Sequence, residues 1–311
     1  MTKFFAISFS ILLVLIMANV MLSNGLILWQ LPEWKVLLWQ FRLPRVVAAL
    51  IAGGILSVAG LLMQNVFKNP LAGPDVLGIS QGASLAVALS LLAGIHVGGL
   101  VLMAVFGALI YLLFLLWMSK YLRSPITLLL IGVMGGFMIS AFISTMEVFS
   151  KAEALKSFVV WSMGSFSKVS PSQLIYLLIM GPLLMGIGLW FSKSLDVLLL
   201  GRQKASLLGV NSRRVMLYAI IVAGVATGLS TSLCGPIAFV GLVAPHLSKW
   251  LLKTYQHKVL IPASFIIGAC VAVLADWLSS GVLAGAILPV NATLSILAAP
   301  VILYLIVKKA G

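Results

Sequence analysis

Apolar residues occur along this chain in long blocks, and short polar or charged segments separate the blocks. Windows of roughly 20 apolar residues, the length that crosses a bilayer as a helix, recur about ten times. We expect transmembrane helices near residues 4–22, 46–66, 82–97, 98–118, 126–148, 172–191, 215–233, 236–252, 259–279 and 288–307. The pattern therefore predicts an all-α polytopic membrane protein with the whole chain, 1–311, as a single domain.

The ends of several windows need separate interpretation. Window 4–22 is long enough to span, and no small-residue cleavage site clearly follows it, so we favour a retained helix over a signal peptide. The third and fourth windows meet at residues 94–99, and the seventh and eighth divide at Gly235-Pro236. Glycine and proline interrupt helices, which is why we place the divisions there.

Small residues concentrate in window 46–66. Close approach of backbones drives helix association in lipid, and small side chains permit it. We expect tight packing through Ala48, Ala49, Ala52, Gly53, Gly54, Ser57, Ala59 and Gly60. Asn69-Pro70 and Gly73-Pro74 must then interrupt the helix, and irregular backbone at a membrane face requires burial or a wet cavity. An ordinary span followed by an ordinary loop is the alternative.

Composition and charge support a membrane protein. The chain is 62% hydrophobic and 8% charged, far from the average of soluble domains. Its net charge of +14 does not indicate nucleic acid, because the basic residues lie in short segments between the spans without interleaved aromatic residues. If the N-terminus is cytoplasmic, most of the 20 basic residues fall on that side, so both termini are predicted inside.

Two connections are too long for plain turns. Residues 149–171 contain an amphipathic run, 152–163, which we expect to form a short helix at the outer membrane surface, with a plain loop as the alternative. Residues 193–214 mix apolar side chains with charges, Gly201 and Gly209, which predicts two short amphipathic helices on the cytoplasmic side. These would lie on lipid headgroups or dock in a groove of a soluble partner.

The sequence offers little chemistry of its own. No G-x-x-x-x-G-K-[ST] motif occurs, so no nucleotide site is predicted. His96, His246 and His257 lack the spacing of metal ligands, and no Ser/His/Asp arrangement stands out. We therefore predict no catalytic residues, no metal site and no cofactor.

Four ordered blocks resemble the signature of the FecCD family, the membrane permeases of ABC importers for iron chelates, haem and vitamin B12. They are RLPR at 42–45 followed by GLLMQ, KNPLA and PDVLG within 60–78; LDVLLLG at 195–201; GPIAFVGLVAPH at 235–246; and LPV at 288–290. The resemblance covers nearly the whole chain from about Phe41. Four blocks in order are far more specific than any one of them.

The resemblance implies the type II ABC importer permease fold in the bacterial cytoplasmic (inner) membrane. Two permease subunits, identical or paralogous, would enclose a pathway, with two cytoplasmic ATPase subunits below and a periplasmic or lipid-anchored binding protein above. Arg42 and Arg45 would dock acidic residues of the binding protein, anchoring to lipid headgroups being the alternative. The residues that would couple to the ATPase are Leu195, Leu199, Gly201, Arg202, Ala205, Leu207, Leu208 and Gly209.

By the same resemblance, the pathway lies between the fifth and tenth spans and the outer helix. The path and gate residues would be Asn69, Pro70, Ser124, Met134, Met138, Ser144, Asn291 and Thr293. Soft methionines suit the sliding of a bulky chelate, and adaptable helix packing is the alternative. The chain departs from the family pattern at Lys68, usually Arg, at Arg202, usually acidic, at Ile287, usually Glu, and at Asn291, usually Gly. A heterodimer would tolerate these changes more easily.

The expected function is import of a ferric chelate, a siderophore or ferric citrate, by ATP-driven alternating access. ATP would be hydrolysed on a separate subunit, so this chain is not expected to be an enzyme. Haem and cobalamin are alternative cargoes, since iron is preferred only because it dominates the family. A secondary transporter is the other class of hypothesis, but only Glu147 and Asp276 supply carboxylates within or at the edge of spans.

Overall fold

The computed structural model describes residues 2–23, 26–27, 33–95, 98–122, 124–280 and 288–310. A short hairpin of β1 (Leu22–Ser23) and β2 (Leu26–Ile27) follows the first of thirteen helices within these ranges. The helices are α1 Thr2–Met21, α2 Trp34–Val66, α3 Ile79–Leu91, α4 Leu100–Tyr121, α5 Pro125–Phe149, α6 Ala152–Ser162, α7 Pro171–Trp190, α8 Ser192–Leu199, α9 Arg202–Leu207, α10 Ser212–Cys234, α11 Val240–Leu252, α12 His257–Ser279 and α13 Val290–Ala310.

Each predicted window overlaps one of these helices, which confirms the all-α polytopic fold. Seven helices are long and apolar enough to cross a membrane: α1, α2, α4, α5, α7, α10 and α12. Helices α3 and α11 have 13 residues each and rise only about 20 Å. These two helices are therefore shorter than the roughly 30 Å hydrocarbon core of a bilayer.

Helix α2 begins at Trp34, about three turns before the start predicted at residue 46. A regular helix would break near Pro44, because proline lacks an N–H and its ring clashes with the carbonyl four residues earlier. Residues Leu37–Arg42 instead form a π-helical turn, in which the N–H of Leu43 bonds to the carbonyl of Leu38. This wider turn accommodates the proline. The helix therefore continues through the predicted docking arginines rather than starting after them.

Helix α2 is the element on which the other helices pack, and 89% of its apolar window is buried. A β-carbon on Gly60 would collide with the backbone of Gly241 in α11, and one on Gly53 would collide with Ala272 in α12. Only glycine permits these crossings. The predicted tight packing of the small residues is confirmed.

Helix α5 packs through one face only. A β-carbon on Gly132 would lie 2.9 Å from the carbonyl oxygen of Leu77, and the carbonyl of Gly132 accepts a 2.9 Å hydrogen bond from the Tyr111 hydroxyl of α4. Much of the rest of the helix is exposed, and only 28% of its apolar window is buried. Helix α5 therefore presents a broad apolar surface to lipid or to a second protein.

The predicted division at Gly235-Pro236 is confirmed, although the helix after it starts later than expected. Gly235 has a φ of +76° and Phe239 a φ of +67°, so the chain cannot be helical across this segment. Helix α11 consequently begins at Val240 rather than at residue 236. The backbone between α10 and α11 is an irregular link that other groups must hold in place.

Helix α6 lies within the 149–171 connection and buries part of its surface against the protein. Phe158 and Trp161 are both buried, and their rings stack with centroids 6.3 Å apart. The exposed remainder includes Lys156. One face of this helix is thus part of the folded core, and only its other face is available to a membrane surface.

Candidate transport and coupling site

Arg45 forms a salt bridge within the chain. Its Nε lies 2.9 Å from both carboxylate oxygens of Asp276, and its terminal nitrogen reaches the hydroxyl of Ser279 at 3.4 Å. The side chain of Asp276 is fully buried and that of Arg45 is 21% exposed. Asn19 of α1 donates to the same carboxylate at 3.0 Å. The pair therefore joins α1, α2 and α12 in one polar cluster.

Arg42 caps the end of α1. One terminal nitrogen of its guanidinium donates to the carbonyls of Val20 and Met21 at 2.6 Å and 3.2 Å. The last carbonyls of a helix lack helical partners and carry partial negative charge, so a cation is favourable there. Both predicted docking arginines thus have partners within this chain, and sequence reasoning missed those partners. The signal was Asp276, an acidic residue near the same predicted membrane face.

The predicted coupling residues divide into a buried group and an exposed group. Leu195 and Ala205 are completely buried and hold α8 and α9 against the protein. Leu199, Leu207 and Leu208 are exposed, Leu207 by 86%. Three exposed leucines on a short polar segment are typical of a surface that another protein covers. We call these three residues the coupling surface.

Glycine turns set the shape of this segment. Gly201 has a φ of +102° and separates α8 from α9, and Gly209 has a φ of +77° just before α10. Such conformations favour glycine, which explains the two glycines that the sequence pattern contains. Arg202 is exposed at the start of α9, and its guanidinium lies 3.9 Å from the sulfur of Met216.

A partly buried polar network connects α8 to two membrane helices. Asp196 accepts hydrogen bonds from the backbone N–H of His257 at 2.8 Å and from its Nδ1 at 2.6 Å. The Nε2 of His257 lies 2.7 Å from the amide nitrogen of Asn65, which also donates to the carbonyl of Leu195 at 3.1 Å. Because an amide nitrogen only donates, Nε2 must accept, which assigns the imidazole proton to Nδ1. Sequence reasoning gave His257 and Asn65 no role.

The predicted gate residues lie in the turn after α2 and at the start of α5. The side chain of Asn69 accepts from the N–H of Leu71 at 2.9 Å, and the carbonyl of Pro70 is 2.6 Å from Nε2 of His246 in α11. Ser124 precedes α5 without making a side-chain cap. The turn after α2 is therefore hydrogen-bonded to α11. The side chain of Ser124 does not cap the start of α5.

The predicted path residues lie on different kinds of surface. Met134, Met138 and Ser144 are exposed on α5, Met138 by 72%. Thr293 is buried, and its hydroxyl donates to backbone carbonyls at 2.8 Å and 3.1 Å. Asn291 is half-buried and bonds to the link between α10 and α11. The three α5 residues are thus exposed, whereas the two α13 residues form hydrogen bonds with backbone groups of this chain.

Among the residues that the structure describes, no three His, Cys, Asp or Glu side chains come together to hold a metal ion. The geometry instead combines a packed helix axis, an exposed helix α5 and a surface-exposed pair of short helices. These features define a polytopic membrane permease. The candidate site is therefore a set of separate surfaces rather than a single pocket.

The chain matches the FecCD transport family over residues 5–308 and belongs to that family. It is 35% identical to the vitamin B12 import system permease protein BtuC of Klebsiella pneumoniae over 286 residues, which cover 91% of this chain and 86% of that protein. The BtuC protein of Escherichia coli O17:K52:H18 is also 35% identical, over 90% of this chain and 86% of its own length. The resemblance drawn from the four blocks is confirmed.

Two solved structures share the fold. One, described as a metal-chelate type ABC transporter in an inward-facing conformation, has a TM-score of 0.89 at 27% identity and covers 99% of both chains. The other, PsaBC from Streptococcus pneumoniae in complex with Fab, has a TM-score of 0.59 at 16% identity and covers 87% of this chain and 92% of that chain. The protein is therefore a multi-pass permease subunit of an ABC importer.

Proposed function

We propose that this chain imports an organic metal chelate as one of two permease subunits of an ABC importer. The coupling surface carries the proposal, because the exposed leucines at the end of α9 need a partner. The polar network of Asp196, His257 and Asn65 connects this segment to α2 and α12. Closure of two ATPase subunits on ATP would move this segment as a unit. The attached helices would then tilt, which is alternating access.

Cobalamin and ferric chelates are the two candidate cargoes. The relatives that are 35% identical carry the name of vitamin B12 importers, which favours cobalamin. The solved relative of the metal-chelate type and membership of the FecCD family support a ferric siderophore or ferric citrate as the other candidate, with haem as a further chelate. Met134 and Met138 would let any of these bulky cargoes slide along α5 without tight binding.

Uptake by cells that lack this chain tests the cargo. Radiolabelled cyanocobalamin, ferric citrate, hydroxamate and catecholate siderophores, and haem are supplied separately, with and without re-expression. Loss and rescue for cyanocobalamin alone would assign cobalamin and exclude the ferric chelates, and the converse would assign iron. Unchanged uptake of every chelate, together with failure of any ATPase subunit to co-purify, would contradict the proposed function.

The coupling role is tested by placing charge on the coupling surface. The double variant Leu207→Asp, Leu208→Asp should lower uptake at least about tenfold. Charge on an apolar docking surface should weaken binding of the ATPase by at least about 1.4 kcal/mol, which is a tenfold loss of affinity. Both side chains are exposed, so folding should not change. Tyr255→Asp adds the same charge at an exposed site outside the segment and should have little effect. Unchanged co-purification of the ATPase with the double variant would remove the coupling role.

Docking of the binding protein is proposed for the outer end of α2. Arg42 donates to α1 through one nitrogen, so its remaining N–H groups are available to a carboxylate of the binding protein. Arg45 is paired with Asp276 and would contribute only to the shape of the docking surface. Arg42→Glu should weaken capture of the binding protein, and the wild-type interaction should weaken with salt. Lys156→Glu serves as the control for charge reversal. Unchanged affinity of a correctly inserted Arg42→Glu chain would exclude docking through Arg42.

The pathway is proposed to follow the exposed face of α5 between two copies of the permease. Met134, Met138 and Ser144 would line it, Asn69, Pro70 and Ser124 would gate it, and Asn291 and Thr293 would position the neighbouring helix. A Met138→Cys variant should therefore cross-link to a second permease subunit. Ile110→Cys, on the exposed face of α4, is the control. Cross-linking of the control but not of Met138→Cys would place the interface elsewhere.

Both termini are proposed to be cytoplasmic, as the distribution of basic residues favours. A fluorescent protein that matures only in the cytoplasm, fused after residue 311, should become fluorescent. An alkaline phosphatase fusion at the same position, which is active only outside, should stay inactive. The opposite pair of results would invert the topology.

A further inference from the structure

A cavity of about 440 Å³ lies between the end of α2, the start of α5, the coupling helices and the start of α10. Its apolar wall is formed by Val66, Phe67, Ile126, Leu198, Leu200 and Met216. Predicted spans begin at residues 126 and 215, beside the cavity, so it lies at the depth of lipid headgroups. In the proposed orientation this is the cytoplasmic leaflet.

The charged residues of the cavity are all basic. Lys68, Arg202 and Lys204 line it, and no Asp or Glu does so among the residues that the structure describes. The ammonium of Lys68 lies 3.9 Å from where a β-carbon on Gly201 would sit. Asp196 is on the adjoining helix but is engaged by His257. The like charges of Lys68 and Lys204 repel each other across this cavity unless an anion lies between them.

Further positive groups face the same cavity. Helices α5 and α10, with 25 and 23 residues, both begin there, at Pro125 and Ser212. The first N–H groups of a helix lack helical acceptors and attract anions. At α10 the side chain of Asn211 accepts from the N–H of Arg214, which leaves the N–H groups before it for an anion. The hydroxyl of Ser212 is buried and has no hydrogen-bond partner within the described chain. An anion in the cavity would therefore meet an unused hydroxyl donor as well as three cations.

We propose that this cavity binds the phosphate of an anionic phospholipid. The cations, the two helix N-termini and the Ser212 hydroxyl would hold the phosphate, and the apolar wall would contact the glycerol and upper acyl chains. Ile126 and Leu200 are exposed apolar side chains at the cavity, which suit a lipid better than a soluble anion. Basic pockets between membrane helices on the cytoplasmic side are recognised sites for such headgroups. The bound lipid would bridge the start of α5 and the coupling helices.

Thermal unfolding of the purified full-length chain in a neutral detergent tests this site. Titration with dioleoyl phosphatidylglycerol should raise the melting temperature with saturation, whereas dioleoyl phosphatidylcholine should not. Lys68→Gln and Lys204→Gln should each raise the half-saturating lipid concentration about fivefold, as expected for loss of one basic contact. Lys258→Gln removes an exposed charge outside the cavity and should leave the titration unchanged.

A second variant supplies the anion from within the chain. Lys68→Glu would place a carboxylate beside the other two cations, so the melting temperature without lipid should rise and the dependence on phosphatidylglycerol should disappear. Ser212→Ala, a small change, should weaken lipid binding without unfolding the chain. Equal responses to the two lipids would overturn the proposal. A full rise in melting temperature with inorganic phosphate alone would also overturn it and would indicate a soluble anion. Stabilisation only by ATPase subunits would overturn it too and would indicate that one of their side chains fills the cavity.

Discussion

Helices α2 and α5 are both long and apolar, with mean hydropathies of 2.4 and 2.3 in their best windows, yet their surroundings are opposite. The α2 window is 89% buried and the α5 window is 28% buried. Hydropathy reports only that a segment prefers lipid or protein to water. It does not distinguish a helix at the centre of a bundle from one at its edge.

The difference lies in where the small residues fall. In α2 they occur on several faces, so neighbours approach from several directions, with Gly60 against Gly241 and Gly53 against Ala272. In α5 the small Gly132 serves the packed face, while residues such as Met138 fill the exposed one. The comparison indicates that α2 is the packing axis of the bundle and that α5 lies at its edge with an exposed apolar face.

The largest effect is expected from a bulky side chain at Gly60, where α2 crosses α11. Gly60→Leu would drive a side chain into the backbone of Gly241, which cannot move aside as a flexible side chain would, so we expect no stable folded chain. Gly186→Leu in α7 is the matched control, because nothing lies within 4 Å of its β-carbon position. Detergent-extracted yield and monodispersity measure both. A well-folded Gly60→Leu chain would show that the α2 axis is not tightly packed.

The next effect concerns the polar cluster of Arg45, Asp276 and Asn19. Arg45→Met leaves Asp276 buried without its cation, which should cost about 3–5 kcal/mol of unfolding free energy. Adding Asp276→Leu removes the orphaned charge and should restore most of the loss. Denaturant unfolding in detergent gives both values. A fully stable single variant would mean that the pair contributes nothing to the fold.

The smallest effect compares two methionines on the two helices. Met63 on α2 is fully buried, so Met63→Ala should cost about 2–5 kcal/mol through lost packing and the cavity left behind. Met138 on α5 is exposed, so Met138→Ala should change stability by less than about 0.5 kcal/mol. Melting temperatures measure the stability and uptake measures the function. Equal destabilisation by the two variants would contradict the distinction between the buried packing axis and the exposed face of α5.

Several features of the site were predictable because their signals are local. Gly201 and Gly209 mark the turns of segment 193–214, and the mixture of apolar and charged residues beside them marks the two short helices α8 and α9. The start of α2 was not predictable, because Pro44 normally ends a helix and the π-helical turn that absorbs it leaves no clear mark in the sequence. The helix consequently carries both arginines that reasoning from sequence had placed ahead of it.

The sequence by itself determined that this chain is a bundle of membrane helices of the FecCD family, because span length, apolar composition and motif order are properties of contiguous residues. Only the tertiary structure decided which polar groups are partners. Arg45 and Asp276 are 231 positions apart, and Asn65 and His257 are 192 positions apart. Such pairs form because buried polar groups need partners wherever the packing of helices brings them together. That packing depends on the crossings at α2, whose small residues predict a close approach but do not specify which helices make it.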